Sequence, residues 1–120
     1  MRRDYQLIRK LLLHIEANSN GIDLVPFMKS QTYTDEQIEY HLALLAEAGI
    51  IDARDASSGS GLHIMPIRLT WEGHEFLDDA RNDTVWNKTL HDIGDATESI
   101  AFTVLRELLA AAVRAQFMPH

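Results

Sequence analysis

Residues 34–54 read TDEQIEYHLALLAEAGIIDAR, and the fold follows from how that stretch is parsed. Thr34 suits a helix N-cap, and Gln37, three residues on, can bond back to the Thr34 backbone, the reciprocal pattern of a capping box. Tyr33 and Ile38 flank the cap at the spacing of a hydrophobic staple. Ile38, Leu42 and Leu45 recur at helical spacing, with His41 and Ala48 beside them, which predicts a helix over 34–48 with one buried face. Gly49 ends it, because glycine takes the left-handed conformation of a helix exit without strain. Ile50 and Ile51 then open a strand to about residue 54.

Reading outward, residues 4–17 form a second amphipathic helix through Tyr5, Ile8, Leu12 and Ile15, with Leu11 widening the stripe. The turn formers of 18–21 close it, a short strand follows over 22–25, and Pro26 opens a brief helical turn to about residue 30. On the other side, ASSGSG (56–61) is a flexible polar tip, and the chain returns as a strand over 62–69. There Ile64, Pro66 and Arg68 alternate against Met65, Ile67 and Leu69, and Pro66 implies an exposed edge. Thr70 caps a helix over 71–81 that carries Trp71, Phe76, Leu77 and Ala80, and residues 84–92 add a piece with Val85, Trp86 and Leu90. Both tryptophans are expected in the core or at a domain joint. Gly94 breaks the chain, and Asp95, with Glu98 three residues later, caps a long final helix to about residue 116. No repeat or low-complexity linker interrupts this order.

A chain of 120 residues with 46% hydrophobic content holds one domain's core, and its 24% charged residues argue against wholesale disorder. The absence of cysteine excludes disulfides, thiolate zinc sites and thiol catalysis. No apolar run approaches the roughly 20 residues of a membrane span, and the opening MRRDYQLIRK lacks the pattern of a signal peptide, so the expected location is the cytoplasm with no membrane partner.

Helix, short strand, short helix, helix, two-stranded hairpin, helix is the order of a winged helix. The segment YHLALLAEAGIIDAR (40–54) resembles the third helix and first wing strand of many winged-helix regulators, and RLTWEGHEFLDDAR (68–81) resembles the second wing strand running into a capped fourth helix. The expected fold is therefore mainly α with a small β-hairpin: a winged helix-turn-helix over 1–83, with an added C-terminal helical arm over 84–120. The blocks RRDYQLIRKLLLHIE, YTDEQIEYHLALLAEAGII and above all LTWEGHEFLDDARNDTVWNK resemble a bacterial and prophage family catalogued as domain of unknown function 2513, over residues 2 to about 88. That resemblance implies a small winged-helix-like protein found among mobile-element genes, and it carries no catalytic residues across.

Function then turns on charge. The net charge is -7, whereas duplex binding draws most of its affinity from cations that neutralise phosphate. The helix over 34–48, which would enter the major groove, has no Lys or Arg and four acids, Asp35, Glu36, Glu39 and Glu47, expected to point outward. Acids in its first turns also suit the helix dipole, so they need no functional role. The cations that would hold DNA are Arg2, Arg3, Arg9 and Lys10 on or near the first helix and Arg54 and Arg68 on the hairpin. One reading is a small winged-helix transcriptional regulator of a prophage or mobile element that binds duplex DNA. The alternative is a winged helix repurposed for protein–protein interaction with a host protein, through Trp86 and an acidic surface that includes Glu72 and Asp79.

The last helix is apolar around most of its circumference. Ile100, Val104, Leu105, Leu108, Leu109, Ala112 and Val113 are candidates for a homodimer interface, and the alanines 110–112 permit close approach. The alternative is that this helix completes the core of its own chain. An enzyme is not expected. His74 and Asp78 are i,i+4 neighbours, but two ligands make no metal site, and the chain has neither a phosphate-binding loop with lysine nor a GxSxG turn. No cofactor and no metal are expected.

Overall fold

A computed structural model describes residues 2–18, 24 and 32–117 of the chain. It is mainly helical with one two-stranded antiparallel hairpin. In chain order the elements are α1 (Tyr5–Ala17), α2 (Asp35–Glu47), β1 (Ile51–Asp55), β2 (Ile64–Leu69), α3 (Trp71–Ala80), α4 (Asp83–Ile93), a 3-10 turn (Gly94–Glu98) and α5 (Phe102–Phe117). The strand and helical turn expected over 22–30 lie outside the described residues, apart from Leu24, which is half-buried against the core. Among the described residues no helix is long and apolar enough to cross a membrane.

Helix α2 forms where its capping chemistry requires. The Gln37 N–H donates to Thr34 Oγ1 at 3.1 Å, and the Thr34 N–H donates to Gln37 Oε1 at 2.9 Å. At the other end Gly49 has φ 74°, and the Gly49 and Ile50 N–H groups close on the carbonyls of Ala46 and Leu45. That is a Schellman exit, which satisfies the last helical carbonyls and aims Ile50 into the core. Asp4, expected inside the first helix, instead caps it: its carboxylate accepts from the Leu7 N–H at 3.1 Å. The Asp4 N–H donates to Nε2 of buried His41, whose Nδ1–H donates to the Gln37 carbonyl at 2.7 Å, so one neutral imidazole joins α1 to α2.

One core joins the five helices and the hairpin. It holds Tyr5, Leu7, Leu11 and Leu12 of α1, Ile38 and Leu42 of α2, and Ile64 and Leu69 of the hairpin, together with Phe76 and Leu77 of α3, Trp86 of α4, and Leu105 and Leu109 of α5. Helix α3 docks unusually tightly. Thr70 accepts from the Gly73 N–H at 3.1 Å and donates to the Gly49 carbonyl at 2.5 Å, and a Cβ on Gly73 would lie 2.1 Å from the Ile50 carbonyl oxygen. Only glycine permits that approach.

Two expectations change. The final helix does not run from Asp95. A 3-10 turn follows Gly94 (φ 66°), the chain leaves helical geometry at residues 99–101, and the Ile100 carbonyl accepts from the Tyr5 hydroxyl at 2.5 Å instead of from an intrahelical N–H. The break delivers Phe102 onto Phe76, with ring centroids 4.8 Å apart, and onto Tyr5 at 6.2 Å. The alternation of β2 also fails halfway. Ile64 and Leu69 are both buried although they lie at opposite phases, because the ladder slips between Asp52 and Ala53 and gives β2 one extra residue. A bulge shifts side-chain phase by one, which no alternation rule anticipates.

Candidate interaction surface

Three outward faces bear on function: the solvent side of α2, the outer face of the hairpin with the start of α3, and the free side of α5. Asp35, Glu36 and Glu47 of α2 are exposed. Glu39 is not, contrary to the expectation of four outward acids. Its carboxylate turns inward, accepts from the Ile64 N–H at 2.7 Å and meets His63 Nδ1 at 3.0 Å. A buried carboxylate so bonded fixes the tip end of the β1–β2 ladder against α2, a role that its place at the edge of the Ile38–Leu42 stripe did not signal.

The six expected DNA cations fall into separate settings. Arg9 is only 13% exposed. Its guanidinium donates to the Ala80 and Arg81 carbonyls at 2.7 and 2.9 Å, pairs with Asp83, and lies 5.4 Å from the Trp86 ring. It closes the C-terminal end of α3, where unpaired carbonyls attract a cation, and has little surface left for phosphate. Lys10 sits 5.6 Å over Tyr33, and Arg3 lies 5.9 Å over Tyr5. Arg2 and Arg3 line a cavity of about 360 Å³ with Gln6, Gln37 and Thr97, on the α1 side. On the hairpin, Arg68 pairs with Asp52 at 2.6 Å, and Arg54 rests against Met65 Sδ at 3.5 Å.

Apolar side chains crowd the same hairpin. Leu62, Met65 and Ile67 are exposed, Ile67 by 54%, and Trp71 at the first position of α3 is 76% exposed. Ile67 is the residue that the bulge leaves without a partner in β1. Trp71 therefore lies outside the core expected for it. Trp86 is wholly buried over Phe76 and donates Nε1–H to Gln6 at 2.9 Å, so it offers a partner no surface. The two tryptophans had the same helical spacing signal; the tight Thr70–Gly49 junction turns one of them out. The tip is hydrogen-bonded, with Ser58 and Gly61 exchanging backbone bonds at 3.1 and 3.0 Å. Ser57 bonds to Asp55 and holds that carboxyl below the usual range.

Two of the four acids of α3 are paired. Glu72 meets Arg106 at 3.0 Å, and Asp78 meets Arg81 at 3.1 Å. Burial, then the neighbouring Glu75 and Asp78, push the Asp79 carboxyl up, while Arg106 and Arg114 oppose this. His74 lies 4.0 Å from Glu16. Among the described residues no group of three His, Cys, Asp or Glu side chains gathers as a metal site would require.

On α5 the dimer candidates divide. Leu105 and Leu109 are fully buried in their own chain, and Ile100, Ala112 and Val113 are half-buried against its core. Val104 and Leu108 are exposed.

The family described as Hypothetical protein (DUF2513) matches this chain over residues 2–99. An uncharacterized protein of Haemophilus influenzae (strain ATCC 51907 / DSM 11121 / KW20 / Rd) is 37% identical over 118 residues, covering 92% of this chain and 100% of that protein. No solved structure gives a significant match.

Proposed function

This chain belongs to the DUF2513 family of hypothetical proteins, and from that premise we propose that it is a small cytoplasmic winged-helix regulatory protein of a prophage or mobile element. In this reading it acts as a pair of chains, is not an enzyme, and binds another protein through its hairpin. The winged-helix assignment draws on element order: α1, α2 in the place of the groove-reading helix, the β1–β2 wing, and α3. The single observation that carries the choice of protein over DNA is the exposure of Met65 and Ile67 on β2 and of Trp71 at the start of α3, in a chain whose α2 bears acids and no cation on its solvent side. Exposed tryptophan with aliphatic neighbours is a common interface anchor, whereas carboxylates at the groove face repel phosphate.

Duplex DNA remains a second reading on one observation: Arg54 stands exposed on the wing, where backbone contacts would fall. Titrating the full chain into a fluorescent duplex at low salt separates the two. Absence of binding is expected, together with host proteins that the wild type retains and the Trp71→Glu variant loses. Binding that weakens steeply with salt and is reduced by Arg54→Ala would overturn the protein reading in favour of DNA.

A further inference from the structure

Helix α5 carries a second apolar face that its own chain does not cover. Ala101, just before the helix, then Val104, Leu108, Ala111 and Ala115 are all exposed, and they recur at alternating spacings of three and four residues. Val104 and Leu108 are each 41% exposed, while Leu105 and Leu109 on the adjoining face are sealed in the core. An average spacing of 3.5 is the seam of a two-helix coil. We propose that α5 packs on α5 of a second copy, antiparallel, with Leu108 against the partner's Ala111 and Val104 against the partner's Ala115. This deepens the paired-chain reading above and rests on it.

Three features select this occupant and direction. The first is size. Antiparallel pairing in that register sets a large side chain against a small one in every layer, whereas parallel pairing sets Leu108 on Leu108 and alanine on alanine, crowding one layer and hollowing the next. The second is charge. Glu107 and Arg114 border the seam, both are exposed, and neither makes an ion pair among the described residues, although Arg114 acts at a distance on Asp79. In the antiparallel register each Glu107 faces the partner's Arg114, and two-fold symmetry makes the pair twice. Parallel pairing puts Glu107 beside the partner's Ala112, with no cation to meet. The third is support. Residues 114–117 are all exposed, so the last turn of α5 extends past the body that covers the rest of the helix.

Sedimentation velocity of the full chain over a concentration series tests the pairing. A reversible dimer is expected. Leu108→Glu should weaken it by more than about tenfold with an unchanged helical circular dichroism spectrum, since an exposed site tolerates the charge. Glu107→Arg and Arg114→Glu should each weaken it several-fold, and the combined reversal should restore it. Because the wild type has no cysteine, oxidation reads the register. Val104→Cys with Ala115→Cys in one chain should give a covalent dimer, while Val104→Cys alone should not. Its two copies would lie about 16 Å apart along the antiparallel pair, beyond the span of a disulfide. Ready crosslinking of Val104→Cys alone, or a dimer indifferent to Leu108→Glu, would overturn the proposed packing and leave a paired chain standing. A chain monomeric at every concentration would overturn both.

Discussion

Helices α1 and α5 are both rich in apolar residues, yet they relate to their own chain in opposite ways. In thirteen residues α1 buries Tyr5, Leu7, Ile8, Leu11, Leu12 and Ile15; in sixteen, α5 buries only Leu105 and Leu109. Position accounts for the difference. Helix α1 lies between α2, α3 and β2, so that its broad stripe meets apolar neighbours on several sides. Helix α5 lies at the margin, mainly against α3 and α4, and touches α1 through Phe102 on Tyr5. Apolar content measures what a helix gains by leaving water, and burial measures how much of that gain its own chain supplies. The shortfall in α5 is the reason to look for a second copy, and the absence of one in α1 is the reason to expect none there.

The sharpest way to break this contrast uses leucines of one type in different surroundings. Leu12→Ala on α1 and Leu109→Ala on α5 should each cost about 2–5 kcal/mol of folding stability by urea unfolding, the range for emptying a packed site. Leu108→Ala, one residue from Leu109, should cost under about 0.5 kcal/mol in the monomer, as surface changes do. Equal losses at 108 and 109 would mean that α5 has no free face. A smaller but still large effect is expected at the platform that carries both helices. Helix α3 touches α1 and α5, and Gly73 lets it settle on the Ile50 backbone. Gly73→Ala should gain about 1 kcal/mol in helix propensity yet lose more through overpacking, for a net destabilisation of about 1–3 kcal/mol. A variant more stable than the wild type would show that the close approach is not needed.

The contrast also explains what could be read in advance. Elements announced by local chemistry were legible: the Thr34–Gln37 box, the Gly49 exit, the Thr70 cap and the stripe of α1 all depend on residues within one or two turns. Apart from the Asp4 cap, which is local, the failures depend on distant partners. Glu39 reads as one more surface acid until the Ile64 N–H, 25 positions away, comes to meet it. Arg9 reads as a free cation until the end of α3 arrives beneath it. The break before α5 is set by Tyr5, 95 positions earlier, which takes the Ile100 carbonyl. Likewise the apolar girth of α5 was visible, but which of its leucines face inward was not, because that depends on where α3 and α4 stand.

The smallest expected effect tests the same two helices through pH. Where α1 ends, Arg81 grips Glu16 with two parallel bonds of 2.7 and 2.8 Å, and those hydrogen bonds, against a smaller cost of burial, hold the Glu16 carboxyl below its usual range. A carboxyl depressed in the folded state stabilises above its unfolded value, and that contribution is lost as pH falls through the depressed one. Beside α5 the sign reverses. Asp79 is raised by burial and by Glu75 and Asp78, so its ionisation costs stability, and the cost appears as pH rises from the ordinary aspartate value through the raised one. On acidification the α5 side therefore relaxes first and the α1 side loosens last. Asp79→Asn should raise stability slightly at neutral pH and flatten the mildly acidic limb. Arg81→Met should lower it by about 0.5 kcal/mol, discounted because the arginine is well exposed, and flatten only the strongly acidic limb. Urea midpoints measured across the acid range should show the two variants departing from the wild type in different windows. Departure in the same window would mean that these carboxyls do not report separately on how α1 and α5 are held.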